Sequence, residues 1–175
     1  NDTNEESDAN IRMNANDTNE EEDSVKDGMD IALCTIDYKK QFLEYAGAYN
    51  PLYLIRSHRM TPQSSDDYIF TEIKADRQPI GIFIGEELQH FTNHKIKLQK
   101  GDQLYIFSDG YVDQFGGSQG KKFKAKQFKQ LLLSIQNKSM QEQEKILNQT
   151  IEQWQGAHEQ TDDICVIGVR FSIKN

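Results

Sequence analysis

Leu104-Tyr105-Ile106-Phe107-Ser108-Asp109-Gly110-Tyr111-Val112-Asp113 decides how this chain is read. Four apolar residues of strand character run into a polar break; the segments before it read as β, and helical spacing appears only after it. Upstream, Ile31-Ala32-Leu33-Cys34-Thr35-Ile36 is a nearly continuous apolar run closed by Asp37-Tyr38-Lys39-Lys40, which predicts a buried strand and a turn. Phe42 to Gly47 and Leu52 to Arg56 flank Ala48-Tyr49-Asn50-Pro51, whose Asn-Pro pair is turn chemistry, so the three segments predict a meander. Ser57 to Asp67 is a polar loop, Tyr68 to Ile73 a strand, and Pro79-Ile80-Gly81-Ile82 a tight apolar connection. Phe91 to Leu98 alternates, and Lys100-Gly101-Asp102 turns the chain into Leu104.

Downstream, a Gly- and Lys-rich hinge from Gly116 to Lys122 leads into helical spacing. Phe128, Leu131, Leu132 and Ile135 fall on one face of a first helix. Ile146 or Leu147, Ile151 and Trp154 fall on one face of a second, with Ser139 and Glu142 spaced as a capping box at its start. Gly156 to Gln160 closes that helix, and Asp163 to Phe171 returns to strand. Antiparallel strands, two helices and a last strand predict an α+β layered fold.

A chain of 175 residues is long enough for one domain with a sizeable core. Its net charge of −8 is concentrated at one end: residues 1 to 30 hold eleven acids and two bases, and the remaining 145 residues carry +1. Asn-Asp-Thr-Asn-Glu-Glu occurs at 1 to 6 and again at 16 to 21, among residues with little to bury. Residues 1–23 therefore read as an acidic, loosely ordered tail and 24–175 as the domain. A calcium-loop reading of Asp17 to Asp27 lacks the glycine at the sixth position and the flanking helices. The folded part has no dense Lys/Arg stripe, which argues against nucleic acid as a partner.

Cys34 and Cys165 lie in apolar runs without CxxC spacing and read as reduced core residues. With no secretory signal and no apolar stretch of bilayer-spanning length, the expectation is a cytoplasmic protein without direct membrane contact. The Asn-x-Thr/Ser triplets at Asn1, Asn16, Asn137 and Asn148 then match glycosylation acceptors by chance. A start at Asn1 rather than Met reads as a fragment of a longer protein.

Two acidic tips are the candidate chemistry. Asp109 follows the strand Leu104 to Phe107, and Thr161-Asp162-Asp163-Ile164 precedes the apolar run Ile164-Cys165-Val166-Ile167. Asp-Gly after a strand is ordinary turn chemistry, and Glu159 to Asp163 is an ordinary polar entry to a strand. The functional alternative is a pair of metal ligands delivered by rigid strand ends, since hard cations such as Mg²⁺ and Mn²⁺ choose carboxylate oxygen and keep several waters. Adjacent carboxylates on a strand point to opposite faces, so one of the Asp162-Asp163 pair, taken as Asp162, would face a shared site. Asp113 either supports Asp109 or is an exposed turn acid.

Other groups carry less. His90 and His94 have an i,i+4 spacing that suits a metal only on a helix, and they lie in loop and strand; His58 and His158 stand alone. No serine sits in a GxSxG elbow, neither cysteine has a base nearby in sequence, and Gly81 and Gly85 do not open a helix.

Taken in order, Asp27-Gly28-Met29-Asp30-Ile31-Ala32-Leu33, Tyr45-Ala46-Gly47-Ala48-Tyr49-Asn50-Pro51, Pro79-Ile80-Gly81, Gly101-Asp102, Ser108 to Asp113 and Thr161-Asp162-Asp163-Ile164 resemble the bacterial metal-dependent serine/threonine phosphatases of PPM type. Within these, the branch of stage II sporulation protein E and the sigma-regulator phosphatases is the most similar, over residues 24 to 173. The resemblance implies an αββα sandwich of antiparallel sheets, with two Mn²⁺ or Mg²⁺ ions between the sheets. It implies Asp109 and Asp162 as metal ligands, a metal-bound water as nucleophile and no catalytic side chain. It implies a phosphorylated protein as substrate and an upstream sensor or regulatory domain in the parent protein.

One departure matters. Such domains begin with an acid-bearing strand and a Gly-Asp-x-x-Gly-His-Gly loop, and no such segment occurs in these 175 residues. Asp27-Gly28 corresponds to a later motif. The expectations are weak metal affinity, low or no activity of this chain, and uncovered sheet edges that favour a homodimer or a strand swap. A non-catalytic interaction module that keeps the phosphatase fold is the alternative.

Overall fold

A computed structural model describes residues 28–58, 68–81 and 90–172. The tail reading of 1–23, most of the loop from Ser57 to Asp67, and Ile82 and Gly85 lie outside these residues. The elements in order are β1 (Gly28–Met29), β2 (Ile31–Asp37), β3 (Phe42–Ala48), β4 (Leu52–Ser57), β5 (Tyr68–Ile73), β6 (Ile80–Gly81), β7 (His94–Lys97) and β8 (Gln103–Phe107). Then follow α1 (Gly110–Asp113), β9 (Phe115–Gly116), β10 (Lys121–Lys122), α2 (Ala125–Ser134), α3 (Met140–Gln155) and β11 (Val166–Arg170).

Two antiparallel sheets form the body. One has the order β11-β8-β4-β5 and the other β2-β3-β7. Strand alternation sorts their side chains. Leu52, Leu54 and Leu104 from the first sheet meet Leu43 and Tyr45 from the second, with Leu98 and Phe171 closing the same core. Tyr53, Ile55, Tyr105 and Phe107 point the other way, onto Phe128 and Leu132 of α2 and Leu147 and Ile151 of α3. β4 is therefore buried on both faces, which is why Leu52-Tyr53-Leu54-Ile55 is an unbroken apolar run.

The helices cover the outer face of the four-stranded sheet. Among the described residues no helix covers the outer face of β2-β3-β7, where Leu33 is 59% exposed. The capping box holds in both directions: the Ser139 hydroxyl accepts the Glu142 amide, and the Glu142 carboxylate accepts the Ser139 amide. Those bonds hold the Glu142 carboxyl below its usual range. Gly156 ends α3 with a φ of +56° that favours glycine.

Five local readings change. The expected meander does not form, because β2 and β3 pair in one sheet while β4 crosses into the other. Ile80–Gly81 is a short strand paired with Gly28–Met29 rather than a mere connection. The expected hinge at Gly116 to Lys122 is a small hairpin in which β9 pairs with β10, because Gly117 and Gly120 take the positive φ its turn requires. The last strand begins at Val166, not Asp163. Cys165 is exposed rather than in the core, whereas Cys34 is half-buried against the inter-sheet core and burial raises its thiol pKa.

Candidate functional site

The two acid-bearing tips meet at one end of the β8-β11 pair. Asp109 does not sit in a simple turn; it precedes α1, and its carbonyl accepts the Asp113 amide at 2.9 Å. Its carboxylate makes no cap to the helix. Asp162 lies in the bend before β11, where its Oδ1 accepts the Asp163 amide at 2.7 Å and its carbonyl accepts the Gln160 side chain at 2.8 Å. Since Asp162 and Asp163 are not in a strand, strand alternation does not orient them.

A serine ties the tips together. The Ser108 hydroxyl donates to the Asp163 carbonyl at 2.6 Å and accepts the Cys165 amide at 3.0 Å. The Ser108 amide donates to the Cys165 carbonyl at 3.0 Å. Gly110 completes the contact, because a Cβ there would run into the Asp163 carbonyl group, with the Asp163 carbonyl carbon 2.8 Å away and the Asp162 oxygen at 3.2 Å. Only a residue without a side chain lets the backbones approach so closely.

The electrostatics follow. Partial loss of water at this crowded tip, then repulsion from Asp162, Asp113 and Asp30, raise the Asp109 carboxyl above its ordinary pKa. Asp162 is the largest of the three charge effects, so the acids paired from sequence do share one field. Asp113 is itself held by Lys122 at 2.7 Å, which makes it a salt-bridged surface acid. Asp30 and Ser108 are the residues that sequence reasoning passed over. Both stood inside quoted segments, but nothing local signals that Asp30 lies near Asp109 or that Ser108 spans two motifs.

Hard carboxylate oxygens are the right donors for Mg²⁺ or Mn²⁺. Their number is short: among the described residues no three His, Cys, Asp or Glu side chains come together to hold an ion. The described residues do not make a complete metal centre. The histidines add nothing to it, His58, His90 and His158 being exposed and His94 stacked on Tyr45 with ring centres 5.8 Å apart.

A family model for stage II sporulation protein E matches residues 5–172. The chain belongs to the stage II sporulation protein E (SpoIIE) family. Comparison with curated proteins returns no match. Among solved structures, the chain is similar to the SiaA PP2C domain of Pseudomonas aeruginosa, with 28% identity and a TM-score of 0.66, over 82% of this chain and 51% of that one. The phosphatase domain of SpoIIE from Bacillus subtilis matches at 15% identity and a TM-score of 0.50, over 82% of this chain and 58% of that one. The same domain presoaked with Mn matches at 15% identity with a TM-score of 0.53, over 83% and 58%. The chain thus spans about half the length of the solved domains it matches, and its α+β sandwich is the PP2C-type phosphatase fold. Among the described residues no helix is long and apolar enough to cross a membrane.

Proposed function

We propose that this chain is part of a protein serine/threonine phosphatase of PPM type, which it serves by presenting Asp109 and Asp162 side by side. The observation that carries this is the Ser108 clamp, which fixes the two acidic tips against each other at the end of buried strands. A carboxylate with a raised pKa among other acids is the electrostatic setting of a functional site, and it sits on a phosphatase fold. Chemistry at a phosphoryl group in this reading needs Mn²⁺ or Mg²⁺, whose charge neutralises phosphate and acidifies a bound water, held by more ligands than these two. The Mn-presoaked Bacillus domain is in keeping with that metal. The chain by itself has little or no turnover. A phosphorylated protein is the substrate, a sensor or regulatory domain lies upstream in the parent protein, and the setting is the bacterial cytoplasm.

Hydrolysis of p-nitrophenyl phosphate with Mn²⁺ tests the reading. The expected result is background turnover for this chain and Mn²⁺-dependent turnover once a Gly-Asp-x-x-Gly-His-Gly segment of the family is supplied, abolished by Asp109→Ala. Turnover that persists in Asp109→Ala overturns the role of that residue, and none after supplementation favours the other reading. That second reading, a module that keeps the phosphatase fold but binds without catalysis, is favoured by the absence of a three-ligand cluster among the described residues.

A further inference from the structure

Five of the nine residues from Lys121 to Lys129 are lysines. Two of them are taken up by the fold. Lys122 pairs with Asp113 at 2.7 Å, and Lys129 pairs with Glu72 and lies over the rings of Tyr53 and Phe70. Lys121, Lys124 and Lys126 are exposed, and among the described residues no acid pairs with them. Such a patch is shorter than the stripe that a nucleic-acid backbone needs, yet its charge is uncompensated.

The fold sets these lysines beside the acidic corner and holds them there. The Lys124 amide donates to the Val112 carbonyl at 2.7 Å and the Phe123 amide to the Gln114 carbonyl at 3.0 Å, which lays the chain after the hairpin along α1. The hairpin that carries Lys121 is strapped to α3, since the Gly117 amide donates to the Trp154 carbonyl at 2.7 Å. About one helical turn, roughly 5 Å along the axis of α1, separates Asp109 from the level of Lys124. Local stability does not explain the charges. α2 begins with Lys124 at its N-cap and has no acid in its first turn, although the positive end of a helix favours acids. Lys124 also takes a φ of +74°, a region that favours glycine.

We infer that Lys121, Lys124 and Lys126 form a docking surface for an acidic segment of the phosphorylated protein, flanking the residue that enters the Asp109 and Asp162 corner. The identity of that occupant rests on the phosphatase reading of the corner. Charge complementarity argues for its acidity. The carboxylates of the corner repel an anionic segment and the adjoining lysines attract it, so such a segment is held only in the register that lays its acids on the lysines. An extended segment advances about 3.3 Å per residue, so acids roughly two to four positions from the phosphorylated residue come level with them. Ammonium groups on flexible stems suit carboxylates that take no single fixed geometry. A phosphorylated residue among acids is thereby preferred to one among neutral residues.

Fluorescence anisotropy of the full 175-residue chain with two labelled phosphoserine peptides tests this, one with glutamates about three positions either side of the phosphoserine and one with glutamines there. The glutamate peptide is expected to bind at least about fivefold tighter, and the advantage shrinks as NaCl rises from about 25 to about 300 mM. Lys124→Gly removes a charge at a backbone position that suits glycine, so it lowers the advantage about twofold or more without lowering the melting temperature. Adding Lys121→Gln and Lys126→Gln abolishes the advantage. Lys100→Gln, an exposed lysine lost at the opposite end of β8, leaves it intact. Equal or undetectable binding of the two peptides overturns the inference, as does an advantage that survives the triple variant or yields to Lys100→Gln. A single-stranded DNA of the same charge that binds tighter than the glutamate peptide overturns it too. So do nuclear Overhauser contacts from residues 1–27 to the three lysines, which assign the surface to the acidic end of the chain itself. Peptide binding needs no turnover, so its failure leaves the phosphatase reading standing, and failed hydrolysis of p-nitrophenyl phosphate by the supplemented chain leaves the peptide measurement standing.

Discussion

Ser108 and Asp163, fifty-five residues apart, are joined by a 2.6 Å hydrogen bond from the serine hydroxyl to the aspartate carbonyl. The bond welds the end of β8 to the entry of β11 and makes one rigid corner from two distant motifs. Ser108→Ala removes the donor to Asp163 and the acceptor of the Cys165 amide together. Urea unfolding is expected to show a loss of about 0.5–1.5 kcal/mol, because both bonds are solvent-exposed, with Ser108→Thr retaining most of it. An alanine variant as stable as wild type would show that the corner is held elsewhere.

Gly110 makes the same corner possible by its missing side chain. In Gly110→Ala the methyl group meets backbone rather than the end of a flexible side chain, so α1 must move away from the Asp162-Asp163 peptide. Thermal denaturation is expected to register about 1–3 kcal/mol of destabilisation, the range for forced overpacking, with the two acidic tips driven apart. A Tm equal to that of wild type would mean the corner yields easily.

The raised pKa of Asp109 sets a pH dependence whose sign is fixed. Its carboxyl binds a proton more readily folded than unfolded, so folding favours the protonated form and stability falls as pH rises from the ordinary aspartate value through the folded one. Asp109→Asn should therefore raise Tm at neutral pH, and the gain should vanish below the ordinary aspartate range, near pH 3.8. A gain of equal size at all pH values would point to packing, not charge.

The strands were legible because burial on both faces writes unbroken apolar runs, as in Leu52 to Ile55, and the helix start because Ser139 and Glu142 act within one turn. Phosphatase family motifs were legible as an ordered series. What escaped reading is non-local. Asp102 sits in a Lys-Gly-Asp sequence that looks like a surface turn, and only the fold brings Arg56, forty-six residues earlier, to bury it. Cys165 stands in an apolar run, yet the Ser108 clamp holds its backbone before the strand begins and leaves the side chain exposed. Asp30 lies beyond any sequence pattern that would pair it with Asp109.

Tyr105 anchors a second buried polar group. Its hydroxyl donates to Gln143 Oε1 at 2.6 Å and accepts Gln136 Nε2 at 2.8 Å, while Gln143 Nε2 and Arg170 both donate to Gln103 Oε1. The network ties β8 and β11 to the turn between α2 and α3. Tyr105→Phe leaves a buried amide donor and acceptor without their partner and is expected to destabilise by about 2–4 kcal/mol, measured by urea denaturation. A loss below about 0.5 kcal/mol would mean the glutamines re-pair among themselves.

Asp102 is fully buried and accepts Arg56 Nε at 2.8 Å, Arg56 Nη2 at 2.7 Å and the Gln99 amide at 2.8 Å. The hydrogen bonds from Arg56 to Asp102 raise the guanidinium pKa further. Arg56 Nη2 also donates to the Lys97 carbonyl, so this one side chain stitches β4 of the first sheet to the end of β7 in the second. Removing one partner of a bidentate, hydrogen-bonded pair costs far more than an exposed ion pair would, because the other partner's hydrogen bonds go unanswered. Asp102→Ala is therefore expected to destabilise by about 3–5 kcal/mol, and Arg56→Ala, whose loss strands a fully buried carboxylate, by at least as much. In a double-mutant cycle the pair should couple by more than about 2 kcal/mol; additivity would mean that each sheet is held independently of the pair.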